Sequence, residues 1–360
     1  MRFAVAEEAA ALRDASDALL GERATTALIR SAWETSQTQV RDVWRGLAEI
    51  GLTGALVADE SGGLGLDENA LPPVLNRIGY RGLPVPAVET VAVAAPLLAA
   101  AGHPALPDVL SGAALVTANL DATATAGLRV PFLMVADYVL LRAGDEVRVY
   151  ERGELDAEPV QAIDGSRQLA RLRCSPAGGT ALATGPATAS AWQRGVLGTA
   201  AVLVGLAERM VAMTVGYVAG RQQFGVPVGS FQAVKHRLAD AYLAVEFARP
   251  AVLAAGWAQA AAVADAAGQT SIAKVLASDA ASVVARAAIQ CHGAIGYTTE
   301  YDLHLFAKRA WALAASWGSA GWHRRRLAAA LGLDKEGLDK QCLDNYGVDA
   351  DEKRGGSGGW

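Results

Sequence analysis

Two short segments carry the residue types best suited to hold an extended ligand. The first, GRQQFGVPVGSFQAVKHRLAD, runs from Gly220 to Asp240, and the second, QCHGAIGYTTEYDL, runs from Gln290 to Leu303. An arginine pairs with phosphate oxygens, an amide side chain donates and accepts hydrogen bonds, and glycine lets the backbone approach a ligand closely. The spacing of Arg221, Gln232 and Gln290 therefore indicates a site for a phosphate-containing ligand, because helix-turn chemistry alone would leave that spacing to chance.

Other familiar chemistries find little support in the sequence. The five histidines show no ligand spacing such as HExxH, so we expect no metal. Cys174, Cys291 and Cys342 are far apart and form no CxxC pair, which disfavours disulfides and zinc and fits a reducing cytoplasm. The GGSGG of Gly355–Gly359 matches the hydrolase motif GxSxG, but its place in a terminal tail favours a linker.

The composition is that of a folded globular protein. Of the 360 residues, 52% are hydrophobic and 19% are charged, the reverse of the balance in disordered chains. The formal net charge of -5 argues against a nucleic-acid partner, since phosphate binding needs a positive surface. The apolar windows are short or interrupted, and no polybasic anchor or signal peptide is evident. We therefore expect a cytoplasmic protein that binds neither nucleic acid nor membrane.

The elements that position the two segments fall into three stretches and a tail. Residues 1–108 show apolar spacing typical of helices and form an N-terminal helical domain. Residues 109–190 alternate short runs rich in Val, Leu and Tyr with glycine turns, which predicts a small antiparallel β domain. The predicted strands are Ala114–Leu120, Val130–Val135, Tyr138–Leu141 and Val147–Tyr150.

Helical patterns return in residues 191–335, where we predict a four-helix bundle. Its first helix is apolar on most faces, as expected of a helix buried inside a bundle. The predicted helices are Leu197–Val218, Phe231–Phe247, Ile272–Gly293 and His304–Leu331. Residues 336–360 are rich in glycine and charge and are predicted to be a flexible tail.

The two ligand-holding segments resemble the C-terminal signature of the acyl-CoA dehydrogenases. The family pattern R-x-x-F-G-x-P-x-G-x-F-Q, followed by Q-x-x-G-x-x-G-[FY], is matched from Arg221 to Gln232 and from Gln290 to Tyr297. The segment Trp44–Leu66 is similar to the family's entry segment. The resemblance implies a mostly α fold in which a helical N-terminal domain, a β-barrel-like middle domain and a C-terminal four-helix bundle follow one another.

The resemblance also implies FAD as the cofactor, with the ADP half held by the bundle of a neighbouring subunit. Carried over to this sequence, the family's FAD contacts fall on Arg221, Gln223, Phe224, Val228, Phe231, Gln232, Gln290, Gly293 and Ala294. In the family, a glutamate removes the α-proton of a CoA thioester while the flavin takes the β-hydride. Electrons then pass to an electron-transferring flavoprotein, which is an expected partner together with the acyl-CoA substrate.

The sequence departs from the family in two places. The middle domain lacks the T-E-P-x-x-G-S-D loop, and its nearest stretch is ANLDATATAGL. The second departure concerns the catalytic base. Trp317 stands at the usual position of the glutamate, and Gly195 stands at the alternative position on the preceding helix. Neither residue can accept a proton.

These departures make the chain similar to the degenerate subunit of heteromeric actinobacterial dehydrogenases that act on steroid side-chain CoA thioesters. The expected assembly is then a heterotetramer in which a partner subunit supplies the glutamate. Three alternatives remain open. The chain can be a homo-oligomeric dehydrogenase that uses another carboxylate, for which Glu208 is the candidate. It can also be a flavin monooxygenase of the same fold, or a non-enzymatic scaffold without FAD.

Overall fold

The N-terminal part of the chain folds into short helices, as its apolar spacing predicts. In this computed structural model, which describes residues 5–34 and 38–333, the third helix buries Val43, Trp44 and Leu47 on one face. The chain turns away from it at Gly51, where a φ of 89° needs a residue without Cβ. The helices are α1 Glu7–Arg23, α2 Thr26–Glu34, α3 Thr38–Glu49, α4 Leu71–Arg81, α5 Ala95–Ala100 and α6 Leu106–Leu110.

The alanine-rich stretch before α5 differs from the α-helix that its composition favours. Val88–Ala94 winds as a π-helix and continues directly into α5. Its first turn carries Glu89, which is 3% exposed and whose pKa is raised by burial. Thr90 donates a hydrogen bond to the carbonyl of Val116, so the π-helix is tied to the first strand of the middle domain.

The middle domain is built on two small sheets, ordered β1-β3-β4-β7 and β2-β6-β5. Its strands are β1 Val116–Thr123, β2 Arg129–Val130, β3 Tyr138–Ala143, β4 Glu146–Glu151, β5 Ala157–Pro159, β6 Ala170–Leu172 and β7 Thr180–Thr184. The sequence predicts a wholly antiparallel domain, and this is wrong for one pair, because β1 and β3 are parallel. The chain between them passes through β2 in the other sheet, so β3 re-enters in the direction of β1.

One predicted strand is much shorter in the structure. Of Val130–Val135 only the first residue belongs to a strand, in β2. Phe132 then adopts a φ of 56°, which breaks the extended backbone, and its N–H donates to the carbonyl of Arg167 at 2.6 Å. Apolar residues alone could not reveal this turn.

The C-terminal part is a helical bundle centred on one long buried helix. Its helices are α7 Pro186–Gly220, α8 Gln232–Ala260, α9 Ala266–His292, α10 Leu303–Ala314 and α11 Ala320–Ala330, and the two-residue strands β8 Gln222–Gln223 and β9 Val226–Pro227 form a hairpin after α7. The fold class predicted from the sequence, mostly α with a small β domain, is confirmed.

The fourth predicted bundle helix, His304–Leu331, is not continuous. It divides into α10 and α11, because Trp317 and Gly318 adopt φ values of 55° and 79°. Two successive left-handed residues cannot continue a right-handed helix. The break places Trp317 in a turn rather than on a helical face.

One described helix, α7, is long and apolar enough to cross a bilayer by length and composition. Most of its apolar stretch is buried inside the bundle, which is the arrangement of a core helix in a folded protein.

Candidate functional site

The first ligand-holding segment lies at the C-terminal end of α7 and is open to solvent. Arg221, Gln223 and Gln232 are exposed, and the guanidinium of Arg221 has no hydrogen-bond partner or ion-pair partner among the described residues. Phe224 is 93% exposed at the tip of the β8–β9 hairpin, with a φ of 53°. Its ring stands edge-on to that of Phe231, with centroids 6.2 Å apart.

The second segment lies at the end of α9 and is equally open. Gln290 and Ala294 are exposed, and Tyr297 is 84% exposed. Gly293 has a φ of 66°, and a Cβ built on it would meet nothing within 4 Å. A ligand could therefore approach the backbone at this glycine.

The structure brings these two segments together at one end of the bundle. The ring of Tyr217, in the last turn of α7, stacks on the ring of His292 at the end of α9, with centroids 4.3 Å apart. The N–H of Arg221 donates to the carbonyl of Tyr217 at 2.9 Å. Val228, by contrast, is half-buried beside the same hairpin.

These residues fit the ADP half of FAD, which the resemblance implies. An unpaired guanidinium suits the pyrophosphate, an exposed amide can hydrogen-bond, and an open glycine admits the ligand to the backbone. Exposed aromatic rings beside them are what a surface that a second subunit covers would show. The contact of each of these residues with FAD stays a prediction.

Trp317 and Gly195, which the family resemblance places at the two positions of the base, meet near the other end of α7. Trp317 is 3% exposed, and its indole lies over Gly195. A Cβ built on Gly195 would stand 2.4 Å from the indole Cζ3. No side chain fits at residue 195 while the indole is there, so the two residues are complementary in shape.

Three side chains fix the turn that carries Trp317, and of these Lys274 and His323 are fully buried whereas Asp121 is exposed. The N–H of Trp317 donates to Asp121 at 2.7 Å, and His323 Nε2 lies 2.9 Å from the carbonyl of Trp317. Lys274 Nζ donates to the carbonyl of Gly318 at 3.0 Å. Because the carbonyl accepts, Nε2 of His323 carries its proton. We call Asp121, Lys274 and His323 the turn clamp.

Two members of the turn clamp, Lys274 and His323, are electrostatically unusual because they are fully buried. Desolvation lowers the pKa of Lys274 to about 7, although Asp121 acts in the opposite direction. Desolvation also lowers the pKa of His323 to about 4, and it raises the pKa of Asp121. None of the three residues could be identified from the sequence, since nothing in their spacing joins β1, α9 and α11.

Two of the described carboxylates, Asp121 and Glu208, are engaged by other groups. One oxygen of Asp121 accepts from Trp192 Nε1 at 3.1 Å and the other from Trp317, so both are engaged with the turn. Glu208 pairs with Arg249 at 3.1 Å. It also lies more than three turns beyond Gly195 on α7, about 20 Å along the axis. Glu208 therefore cannot reach a ligand atom placed over Gly195.

Comparison with known proteins agrees with this architecture. The acyl-CoA dehydrogenase N-terminal domain model matches residues 6–109, and the acyl-CoA dehydrogenase C-terminal domain model matches residues 187–332. The acyl-CoA dehydrogenase IpdE2 of Mycobacterium tuberculosis is 33% identical over 84% of this chain and 91% of its own length. IpdE2 of Mycolicibacterium smegmatis is 29% identical over 91% of this chain and all of its own length.

A solved structure extends the similarity to three dimensions. The ChsE4–ChsE5 complex of Mycobacterium tuberculosis contains a chain that superposes with a TM-score of 0.82 at 25% identity, covering 92% of this chain and 99% of that one. The coverage spans the middle domain as well as both helical domains. The chain belongs to the acyl-CoA dehydrogenase family.

Proposed function

We propose that this chain is the non-catalytic subunit of a heteromeric FAD-dependent acyl-CoA dehydrogenase. The observation that carries the proposal is the indole of Trp317 over Gly195, where a Cβ would stand only 2.4 Å from the ring. α-Proton removal requires a carboxylate within hydrogen-bond reach of the substrate carbon. The two positions that could supply it hold an indole and a glycine. The indole of Trp317 leaves no room for a side chain at residue 195.

The contribution of this chain to FAD lies at the opposite end of α7. FAD, when bound, supplies the hydride acceptor of the family's reaction. Arg221 holds the pyrophosphate, and Gln290 hydrogen-bonds the ADP half, with Gly293 allowing the close approach. The exposure of all three residues supports this role, because such a surface is completed only by a second subunit.

The partner is a second acyl-CoA dehydrogenase chain that carries the glutamate. Two similar structures support this choice. The ChsE4–ChsE5 structure is a complex of two differently named chains, and the name of the steroid dehydrogenase Tcur3481–Tcur3483 also joins two chains. We propose a steroid side-chain CoA thioester as the substrate. An electron-transferring flavoprotein is the proposed electron acceptor, and the cytoplasm the proposed location.

The test is a titration of bound flavin and turnover against subunit composition. The partner is sought as the dehydrogenase-like product of an adjacent reading frame and is co-expressed with this chain. One FAD per pair of chains, with turnover abolished by replacing the partner's glutamate with glutamine, is the expected result. Glu208→Gln in this chain should leave turnover per flavin unchanged and serves as the matched carboxylate control.

Three results would contradict the proposal. One FAD per chain, with turnover lost on Glu208→Gln, would make this subunit catalytic. Absence of flavin absorbance in the assembled complex would instead make the chain a scaffold. Reduction by NAD(P)H with oxygen dependence, and no reaction with an electron-transferring flavoprotein, would identify a monooxygenase.

A further inference from the structure

Three aromatic rings pack together at the end of the bundle that carries the two ligand-holding segments. The imidazole of His292, the last residue of α9, stacks on the ring of Tyr217 with centroids 4.3 Å apart and 24° between the ring planes. Tyr301, just before α10, lies beside both, with its centroid 4.7 Å from that of His292 and 5.6 Å from that of Tyr217. We call Tyr217, His292 and Tyr301 the aromatic cluster.

The aromatic cluster connects the two segments. Tyr217 lies one turn before Arg221, whose N–H donates to the carbonyl of Tyr217 at 2.9 Å. His292 stands between Gln290 and Gly293 in the chain, and its carbonyl accepts from the hydroxyl of Tyr217 at 3.4 Å. Each of these two rings is therefore attached beside a proposed FAD contact. The position of Arg221 relative to Gln290 depends on how the rings pack.

The imidazole of His292 has no acceptor for a second proton. Its Nδ1 lies 2.8 Å from the carbonyl of Ala288, and because a carbonyl only accepts, Nδ1 carries the proton of the neutral ring. The residue is 4% exposed, and its Nε2 is buried with no hydrogen-bond partner among the described residues. A proton on Nε2 would create a buried donor and a buried positive charge, both without a partner.

The charges around the cluster do not offset this cost. Burial lowers the pKa of His292, its backbone hydrogen bond opposes that shift, and no charged side chain of the described residues contributes. Burial also raises the pKa of Tyr301, so this phenol is neutral. Of the charged groups that act on Tyr301, Asp302 pairs with Arg30 at 2.6 Å, and Arg209 is a cation that would repel an imidazolium.

We propose that neutral His292 is a positioning residue for FAD, which keeps Arg221 and Gln290 at the spacing that the ADP half requires, and that its protonation releases the cofactor. This inference rests on the proposed FAD contacts of those two residues. A charged imidazole has to leave the cluster to find water, and the ends of α7 and α9 then lose their common contact.

The expected pH dependence follows from the neutral ring. Because the FAD-bound form disfavours the extra proton, affinity is complete above the ordinary imidazole pKa of 6.5 and falls as the pH drops below it. One proton limits the fall to about tenfold per pH unit.

The test is the affinity of the flavin-stripped complex for FAD, measured by quenching of flavin fluorescence from about pH 5 to about pH 8. His292→Phe keeps a planar ring in the cluster but cannot take up a proton. Its affinity at the alkaline end should stay within about twofold of the parent's, and should remain flat where the parent's falls. Because the partner and the other histidines are the same in both complexes, the difference between the profiles reports His292 alone.

Two further variants complete the test. His292→Ala removes the ring and should weaken FAD about tenfold even at the alkaline end. His103→Phe is the matched control, since the ring of His103 lies against Tyr138 of the middle domain, and it should change neither the affinity nor its pH profile.

The outcomes separate this inference from the FAD contact on which it rests. Parallel pH profiles for the parent and His292→Phe, or full affinity in His292→Ala, would overturn the role of His292 and leave the FAD site in place. Full flavin content in Arg221→Ala would remove the FAD contact itself, and with it this inference. His292→Phe decides the question even where His292→Ala does not assemble.

Discussion

Trp317 and Gly195 form a matched pair in which each residue depends on the other. The indole is buried and has a left-handed backbone, a conformation that is costly for a bulky residue. It persists because the turn clamp bonds the N–H and the carbonyl of the same residue. A buried aromatic ring held in this way is a packing element of the bundle rather than a mobile side chain.

The pairing predicts strong coupling between the two positions. Gly195→Ala should destabilise the protein by about 1–3 kcal/mol, because the new Cβ overlaps the indole. In a Trp317→Ala background, itself costing about 3–5 kcal/mol, the same change should be neutral or stabilising. Denaturant unfolding of the four proteins in a double-mutant cycle measures the coupling.

A control for that cycle lies on the same helix. Gly216 has no atom within 4 Å of a built Cβ, so Gly216→Ala should stabilise α7 by about 0.5–1 kcal/mol in both backgrounds. Additive effects at Gly195 and Trp317 would show that the indole leaves the pocket in solution.

The buried Lys274 predicts a pH dependence of stability. Its folded pKa of about 7 lies below its ordinary value of 10.5, so the unfolded chain binds the extra proton between these values. The free energy of unfolding should therefore rise with pH from about 7 towards 10, by at most about 1.4 kcal/mol per unit for one proton. Below pH 7 this contribution is constant at its lowest level.

Lys274→Met is the comparison for this measurement, because it removes the titrating group and keeps the length of the side chain. The variant is expected to be less stable, since the carbonyl of Gly318 loses its donor. The slope of stability against pH between 7 and 9 should nevertheless become shallower than in the unaltered protein. Parallel slopes would mean that Lys274 keeps its ordinary pKa.

At the scale of elements, α7 joins the two functional regions. Its Gly195 faces Trp317, while its last turn leads to Arg221. The sequence predicted this helix because its apolar residues surround the axis. The division between α10 and α11 could not be predicted from the same periodicity, since it depends on left-handed residues held by partners on β1 and α9.

The hairpin after α7 gives a prediction for cofactor content. Arg221→Ala removes the proposed charged partner of the FAD pyrophosphate, at a cost on the order of 2–4 kcal/mol. The complex should then purify with little flavin, as measured by its absorbance near the flavin band relative to protein. Arg45→Ala, which removes an exposed arginine of α3, should retain the flavin. Unchanged occupancy in Arg221→Ala would place the pyrophosphate elsewhere.

At the scale of the whole molecule, the surface of α8 is unusually apolar for a free monomer. Tyr242 is 52% exposed, Leu243 50% and Phe247 69%, and in the chain they follow the exposed Phe224 and Phe231 of the first ligand-holding segment. Exposed apolar groups on one element indicate a surface covered by another protein. The chain should therefore be poorly soluble alone and form a defined heteromer on co-expression.

A charge placed on this surface tests the assembly. Phe247→Asp should reduce co-purification with the partner at least tenfold, because it would bury an unpaired carboxylate in the interface. Leu331→Asp is the matched control, since Leu331 is 65% exposed but lies at the end of α11. Light scattering coupled to gel filtration gives the mass of each species. A stable flavin-loaded homotetramer of this chain alone would contradict the prediction.

The sequence predicted the family and the fold class, and both are confirmed. Local signals were sufficient there, because glycine, proline and arginine at fixed spacing identify the two exposed segments. The parallel pairing of β1 and β3, the π-helix at Val88–Ala94 and the turn clamp were not predicted. Each depends on contacts between residues far apart in the chain. The predicted tail, residues 336–360, lies outside the described residues.

The fit between Trp317 and Gly195 also restricts how this subunit can change over evolutionary time. A single substitution that puts glutamate at residue 195 would collide with the indole. A single substitution that puts glutamate at residue 317 would leave a void over the glycine and bring a second carboxylate towards Asp121, which is bonded to the same turn. Both single-step routes to a glutamate at these positions pass through a damaged protein, so the proposed division of labour between two subunits would be self-reinforcing.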